Sequence, residues 1–409
     1  MKKLYATLLY ILSLHLTLQA QWVEINPPGN GDNYTSVVFP TKDTGYAVGL
    51  GGSIIKTTDG GNNWTLQLQL PSIAGPIWDV CFTDANTGFA VGGGSIKLKT
   101  TNGGIKWDTI PTLPALTYIS VCFPTKNTGY ILPMSDTSTY KTTDGGNTWI
   151  KQPNLISGSA ANGAIYFTDS LTGYVASGGI AKTTDGGNSW VMQDSSGYYG
   201  STEYFTSICF SAPDTGYAVA YYGSIYKTVN GGNHWIKQVT GTSPHTSLYS
   251  VFFTSTNVGY AAGGDAINGA PNRIFKTTDG GANWVQQTTP SNNMDLLFSL
   301  FFTKPDTGYA LGIGGTILKT VNGGFTDINQ IHSLNSTITI YPNPVQNTLN
   351  IKAETYDTYN YKIVNTLGEF ILQGTCQQNI NVNTLPKGIY FLQLYQQNKL
   401  MYSNKFLKE

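Results

Sequence analysis

A nine-residue phrase recurs seven times in this chain, and that recurrence restricts the fold more than any other feature. "KTTDGGNNW" (residues 56–64) is followed by "KTTNGGIKW" ending at Trp107, "KTTDGGNTW" at Trp149, "KTTDGGNSW" at Trp190, "KTVNGGNHW" at Trp235 and "KTTDGGANW" at Trp284. A seventh copy, "KTVNGGFTD" from Lys319, lacks the tryptophan. Successive copies lie 41 to 49 residues apart, a period that signals stacked structural repeats. Each unit keeps one order: an apolar run such as "TSVVF" or "WDVCF", a polar turn such as "PTKDTG", then "GYAVG", a variable loop, "SIIKTT", the box, and "WTLQ" or "WIKQ". These are four short β-branched or aromatic segments punctuated by Gly, Asn, Asp and Pro.

Four antiparallel strands per unit of this length make the blade of a β-propeller. The box then turns the chain from third to fourth strand. Its glycines permit positive φ, and its Asp or Asn oxygen accepts N–H bonds within the turn. The broken seventh copy has a complement near the N-terminus, where "QWVEI" with Trp22 reads like "HWIKQ" and "NWVQQ". The N-terminal segment is therefore expected to supply the fourth strand of the last blade, removing an open sheet edge. The expected fold class is all-β, a seven-bladed β-propeller closed by the N-terminal strand and followed by a small immunoglobulin-like β-sandwich. The expected divisions are a signal peptide (1–20), the propeller (21–325), a linker (326–336) and a C-terminal domain (337–409).

Ser/Thr-x-Asp-x-Gly-x-x-Trp resembles the Asp-box, or BNR repeat, of sialidases, sortilin-type receptors and xyloglucan hydrolases. With "TGYAVG" ahead of it, the repeat is most similar to the photosystem II assembly-factor type of propeller. The resemblance implies a fold and leaves activity open, because fold alone does not define function.

Composition narrows the function. Charged residues make up 11% of the 409, the formal net charge is zero, and Arg273 is the sole arginine. Nucleic-acid binders present a basic patch, which this chain does not encode. Lys2 and Lys3 precede "LYATLLYILSLHLTL" and then "QA", the layout of a cleavable export signal too short for a membrane span. No later segment reads as a transmembrane helix. Cys81, Cys122 and Cys209 share one repeat position with Val38, Tyr166, Phe252 and Phe301, so they read as core thiols; with Cys376 elsewhere, no disulfide is expected.

After a polar linker, the last eighty residues carry alternating strands broken by "NP", "LG" and "PKG", which read as a seven-strand sandwich. Tyr341, Pro342, Asn343 and Pro344, then Leu349, Ile351 and Leu385, then Gly388, Tyr390, Leu394, Lys405 and Lys408, resemble in order the type A sorting domain of type IX secretion cargo. The resemblance implies a partner, the type IX secretion machinery, and a destination outside the cell or on its outer surface by way of the periplasm.

In a four-stranded blade the box turns and "PTKDTG" turns share one face, so variation gathers on the other, where binding residues normally sit. The departures there point to Tyr198, Tyr199, Tyr204, Tyr221 and Tyr222 with Asp265, Asn272 and Arg273, plus Trp78 and Asp79 at the entry of a first strand. Aromatic faces beside amides and a carboxylate suit a sugar or a peptide. The expected role is non-catalytic binding of a glycan or protein. The alternative is a glycoside hydrolase, which needs two carboxyl groups about 5–9.5 Å apart; Asp79, Asp136, Glu203 and Asp265 are the off-repeat acids. One arginine cannot furnish a sialidase site. The remaining histidines stand apart and the cysteines lack zinc spacing, so no metal or cofactor is expected.

Overall fold

Each repeat folds as its pattern dictates. In blade 1 the strands Tyr34–Val38, Gly45–Gly49, Ser53–Thr57 and Thr65–Gln69 hydrogen-bond in chain order. Sheets of the same order cover 77–109, 118–154, 164–194, 205–237 and 247–286. The chain is seen in a computed structural model that describes residues 22–25, 31–134, 136, 138–154, 163–194, 204–238, 246–265, 270–290, 296–324, 338–353, 358–365, 369–396 and 399–409. The seventh blade joins Leu297–Phe302, Gly308–Gly312 and Ile317–Thr320 to Val23–Ile25 as its outer strand. That strand runs antiparallel, with Val23 opposite Lys319, Glu24 opposite Leu318 and Ile25 opposite Ile317. Among the described residues there are thus seven four-stranded blades, and the seventh packs against the first.

A repeated aromatic stack joins the blades. The tyrosine of "GY" in one blade stacks on the phenylalanine at the end of the first strand of the next, and that ring meets its own box tryptophan edge-on. Tyr46 lies 4.1 Å from Phe82, which lies 6.0 Å from Trp107 at 89°. Between blades 7 and 1 the same stack is Tyr309 on Phe39 at 4.3 Å, with Trp64 at 5.8 Å. Trp22, fully buried, meets Phe302 at 6.0 Å and 86° and so fills the seventh tryptophan position. This stack explains the glycine of "TGY": a Cβ at Gly45 would stand 2.6 Å from the Phe39 ring.

A polar clamp lies beside the stack. Tyr46 Oη and Lys56 Nζ both donate to the carbonyl of Gly103, the first box glycine of blade 2, at 2.6 and 2.7 Å. Tyr309 and Lys319 do the same to Gly60 across the blade 7–blade 1 junction, at 2.6 and 2.7 Å. The Lys319 ammonium also sits 5.7 Å from the Tyr309 ring centre, within cation–π range. Blade 2 has Phe89 instead of tyrosine, and Lys99 alone holds Gly145 at 2.7 Å. The box is therefore both a turn and the acceptor for its neighbour.

Inside the box, Thr57 Oγ1 donates to Asp59 Oδ1 at 2.8 Å and accepts the Gly61 N–H at 2.9 Å. Asp59 Oδ1 accepts the N–H groups of Asn62 and Asn63 at 3.0 and 2.9 Å. Asn102 keeps that acceptor, taking the Lys106 N–H at 3.0 Å, which is why Asn substitutes for Asp. Gly60 and Gly61 have φ of 67° and 72°, a region that glycine enters without penalty.

These bonds hold Asp59 at a pKa of about 2, chiefly through the Asn63 side chain, and Asp185 at about 2, chiefly through Ser189. A carboxyl group depressed in the folded state stabilises it above the ordinary value of 3.8, and that contribution is lost as pH falls through the folded value. Thermal unfolding followed from pH 5 to pH 2 is thus expected to show a declining midpoint over this window. In Asp59→Asn/Asp185→Asn the decline is expected to be shallower. An equal slope in both proteins refutes this.

Cys81, Cys122, Cys209 and Cys376 are all free thiols, and burial raises the pKa of Cys122 and Cys209 to about 12. Among the described residues the C-terminal domain has seven strands. Thr339–Tyr341, Thr348–Lys352 and Asn379–Asn381 form one sheet; Phe370–Cys376, Tyr359–Asn365, Gly388–Gln396 and Lys399–Lys408 form the other, in that order. Leu349, Ile363, Leu392, Leu394 and Phe406 close a shared core. Among the described residues, no helix is long and apolar enough to cross a membrane.

Candidate functional site at the loop-side mouth of the propeller

On the box face, the turns of each blade are tied to one another. The first box glycine of every blade donates its N–H to the first–second turn of its own blade, as Gly60 does to Asp43 O at 2.8 Å and Gly323 to Asp306 O at 2.7 Å. The opposite face carries the second–third connections and the inter-blade links.

First strands touch first strands all the way round, blade 7 against blade 1 included, so they line the axis. Their inner edges are capped by a belt of hydroxyl groups. Ser120 Oγ accepts the Ile165 N–H at 3.3 Å, Ser207 that of Val251 at 3.3 Å, Ser250 that of Leu300 at 3.0 Å, and Ser299 that of Val37 at 3.2 Å. Blade 4 has Ala164 at this position and makes no such bond to blade 5.

Asp79 belongs to this belt. Its Oδ1 accepts from Ser36 Oγ at 2.8 Å and Val80 N at 2.9 Å; its Oδ2 accepts from Ser120 Oγ at 3.0 Å and Val121 N at 2.9 Å. Burial pushes its pKa up from 3.8, and those four bonds pull the other way. A carboxylate so engaged joins blades 1, 2 and 3. Trp78 is half-buried and packs against the core cluster of blades 3 and 4 that includes Ile119 and Tyr130.

A β-bulge interrupts the start of the first strand in six blades, leaving Thr35, Trp78, Ile119, Thr206, Tyr249 and Phe298 without a ladder partner. Blade 4 pairs without a break. Bulges gather beside functional sites because they re-aim a side chain. In blades 6 and 7 the bulge residue is aromatic, and the rings connect. Tyr204 meets Tyr221 at 6.5 Å, Tyr221 meets Tyr249 at 5.7 Å, and Tyr249 meets Phe298 at 5.0 Å, all edge-on. This arc spans three blades. Tyr222 beside it is 47% exposed with φ of 61°, where the corresponding turn of blade 7 has Gly314 at 70°. A bulky residue there marks strain, which structures retain mostly at functional positions.

Of the residues singled out in the sequence, Tyr204 and Tyr221 are thus brought together with Tyr222 next to them. Tyr198 and Tyr199 lie outside the described residues. Asp265 and Asn272 fall on the paired strands Gly259–Asp265 and Ala270–Thr277, with their side chains outside the description. Arg273 donates to Gln286 Oε1 of the outer strand of its own blade at 3.2 Å. Tyr249 and Phe298 were missed, although each replaces the threonine that precedes serine in "TS" of blades 1 and 5. Asp136, another off-repeat acid, is paired with Lys151 at 2.8 Å.

In the C-terminal domain the motif residues organise the fold itself. Asn343 Oδ1 accepts the Leu407 N–H at 2.8 Å and Asn343 Nδ2 donates to Lys405 O at 3.3 Å, pinning the Tyr341–Pro344 segment to the last strand. Tyr390 Oη donates to Pro386 O at 3.0 Å and its ring stacks on Phe406 at 5.8 Å. Leu394 is fully buried, Gly388 pairs with the nearly buried Lys408, and Lys405 is exposed.

Fold and site together define an Asp-box β-propeller with a loop-side aromatic mouth, followed by a small β-sandwich. Residues 339–409 match the secretion system C-terminal sorting domain, and residues 14–101 match photosynthesis system II assembly factor YCF48. No curated protein sequence matches the chain. Among solved structures, YCF48 bound to D1 peptide is 20% identical at a TM-score of 0.60, covering 74% of this chain and 97% of that one. The GH74 xyloglucanase of Xanthomonas campestris is 14% identical at 0.59, covering 85% of this chain and 58% of that one. PorZ, a surface component of the type-IX secretion system of Porphyromonas gingivalis, is 14% identical at 0.56, covering 95% of this chain and 60% of that one. Identities this low show the fold alone. The chain joins a YCF48-type propeller to a type IX sorting domain, which sends it to the cell surface or the medium.

Proposed function

We propose that the chain is an exported, non-catalytic binding propeller that holds an extracellular glycan or protein by its loop-side face. A leader over residues 1–20, the propeller over 21–325, a linker over 326–336 and the sorting domain over 337–409 divide the labour between export and binding. The observation that carries this reading is the aromatic arc from Tyr204 to Phe298, beside a strained and exposed Tyr222, on the face that structural turns leave free.

A hydrolytic role draws less support. Two carboxyl groups free to act are its requirement, and Asp79 serves four donors while Asp136 serves Lys151 and the Ser138 N–H. Glu203 lies outside the described residues.

The full chain immobilised on beads and offered glycan and surface-protein fractions is expected to retain a ligand. Tyr221→Ala/Tyr222→Ala is expected to lose most of that retention, and Ile150→Ala, on an exposed outer strand, to keep it. Equal retention by all three proteins removes this face from the account.

A further inference from the structure

We propose that the mouth of the propeller is a stacking site for a neutral polysaccharide chain, with Tyr249 and Phe298 as its central platform and Tyr204, Tyr221 and Tyr222 as its outer reach. This deepens the binding reading above and rests on it.

The chemistry of the surface selects the ligand. Its described side chains are aromatic rings, phenol groups and threonine hydroxyls, and no formal charge stands among them. The carboxylate nearest in the belt, Asp79, has both oxygens occupied. Among the described side chains of the arc an anionic polymer would find no cation and a cationic one no free anion; Arg273, on the third strand of blade 6, donates to Gln286 of the fourth. A sugar ring offers an apolar C–H face to stack on an aromatic ring and hydroxyl groups at its rim for phenols and threonines, so the match needs no charge.

An extended peptide fits less well. Peptides that dock on strands take up unpaired backbone groups of a sheet edge. At this mouth the inner edge is already capped: Leu248 O accepts Thr206 Oγ1 at 2.6 Å, Val251 N donates to Ser207 Oγ, and Leu300 N donates to Ser250 Oγ. What the bulges leave available at blades 6 and 7 is side chain, namely the rings of Tyr249 and Phe298. Both are half-buried, with edge-on neighbours that fix their orientation while part of each ring stays open. Trp78, the bulge residue of blade 2, stands three blades from Tyr249 and so lies across the axis from it. A chain of sugars lying over the mouth would meet aromatic residues on both sides.

The test is titration of the full chain with cellohexaose, xylohexaose, mannohexaose and maltohexaose, and with polygalacturonate and dextran sulfate as charged arms. At least one neutral hexasaccharide is expected to bind, with an affinity that changes less than about twofold between 50 and 500 mM NaCl, since no ion pair is used. Tyr249→Ala and Phe298→Ala are each expected to weaken that binding by roughly five- to tenfold, the loss of one aromatic contact. Tyr249→Phe is expected to stay within about threefold of the parent, and the thermal midpoints of all three variants show whether the blades remain folded. Salt-sensitive binding of a charged polymer alone overturns the assignment, as does sugar binding unaffected in both alanine variants. Capture of a surface protein through Tyr221 and Tyr222 without any sugar binding overturns the polysaccharide and leaves the binding propeller standing. Absence of both kinds of ligand overturns both.

Discussion

Trp22→Ala is expected to cost about 3–5 kcal/mol of folding stability, as much as Trp149→Ala, although Trp22 lies some three hundred residues from the blade it completes. Both indoles are buried, and both stand edge-on to the phenylalanine at the end of the first strand of their blade, Phe302 at 6.0 Å and Phe123 at 5.8 Å. Trp22 also meets Tyr260 of blade 6 at 6.4 Å, so its loss empties a junction as well as a blade. The three residues after it make only one pairing, with Ile317–Thr320. Without the indole to anchor them, that strand of blade 7 becomes an open edge, a template for association with other chains. Urea titration should show the midpoint falling in both variants, and light scattering should show association in Trp22→Ala more than in Trp149→Ala. A Trp22→Ala protein as stable as the parent contradicts the role given to this residue.

Removal of residues 338–409 is expected to have the largest effect on where the protein goes. The truncated chain should accumulate in the periplasm and be depleted from surface and medium by roughly tenfold or more, while the propeller stays folded. The sorting residues are expected to act through shape. Tyr341–Pro344 is held to the last strand through Asn343, and Tyr390, Leu394 and Phe406 fill the core, so substitutions that unfold the sandwich should mimic the deletion. Asn343→Ala removes two bonds to the last strand and should reduce export partly; Lys405→Ala, exposed, should do so only if its charge is read directly. Cell fractionation with blotting distinguishes these outcomes. Export undiminished in the deletion contradicts the assignment of the tail.

Much of this was legible because the repeat samples the same physics seven times. The box turn, its tolerance of asparagine and the borrowed tryptophan follow from residue types at fixed spacing. The contacts between blades did not. Periodicity shows that Tyr46, Phe82 and Trp107 are apolar positions, but nothing in it says that a tyrosine stacks on the phenylalanine of the next unit, or that Lys56 reaches that unit's box. Those partners are set by how blades wrap around an axis.

The site was legible in part for the same reason. Tyr204 and Tyr221 stand out because they interrupt the repeat. Tyr249 and Phe298 are hidden inside runs that read as core strand, and only the bulge, a backbone feature, turns them into a surface. Asp79 shows the opposite limit of the sequence. A lone acid in an apolar run looks free to react, whereas the serines that it replaces belong to a belt of hydrogen bonds that it joins with both oxygens.

The central claim is that the N-terminal strand supplies the outer edge of blade 7 and so completes a circle of seven. Val23 and Lys319 are register partners, and paired positions of antiparallel strands come close enough for a disulfide. Mild oxidation of Val23→Cys/Lys319→Cys, followed by peptide mapping, should give an intramolecular link between those two positions in nearly every molecule. A link to another blade, a link between two chains, or none at all while the blades remain folded would contradict it.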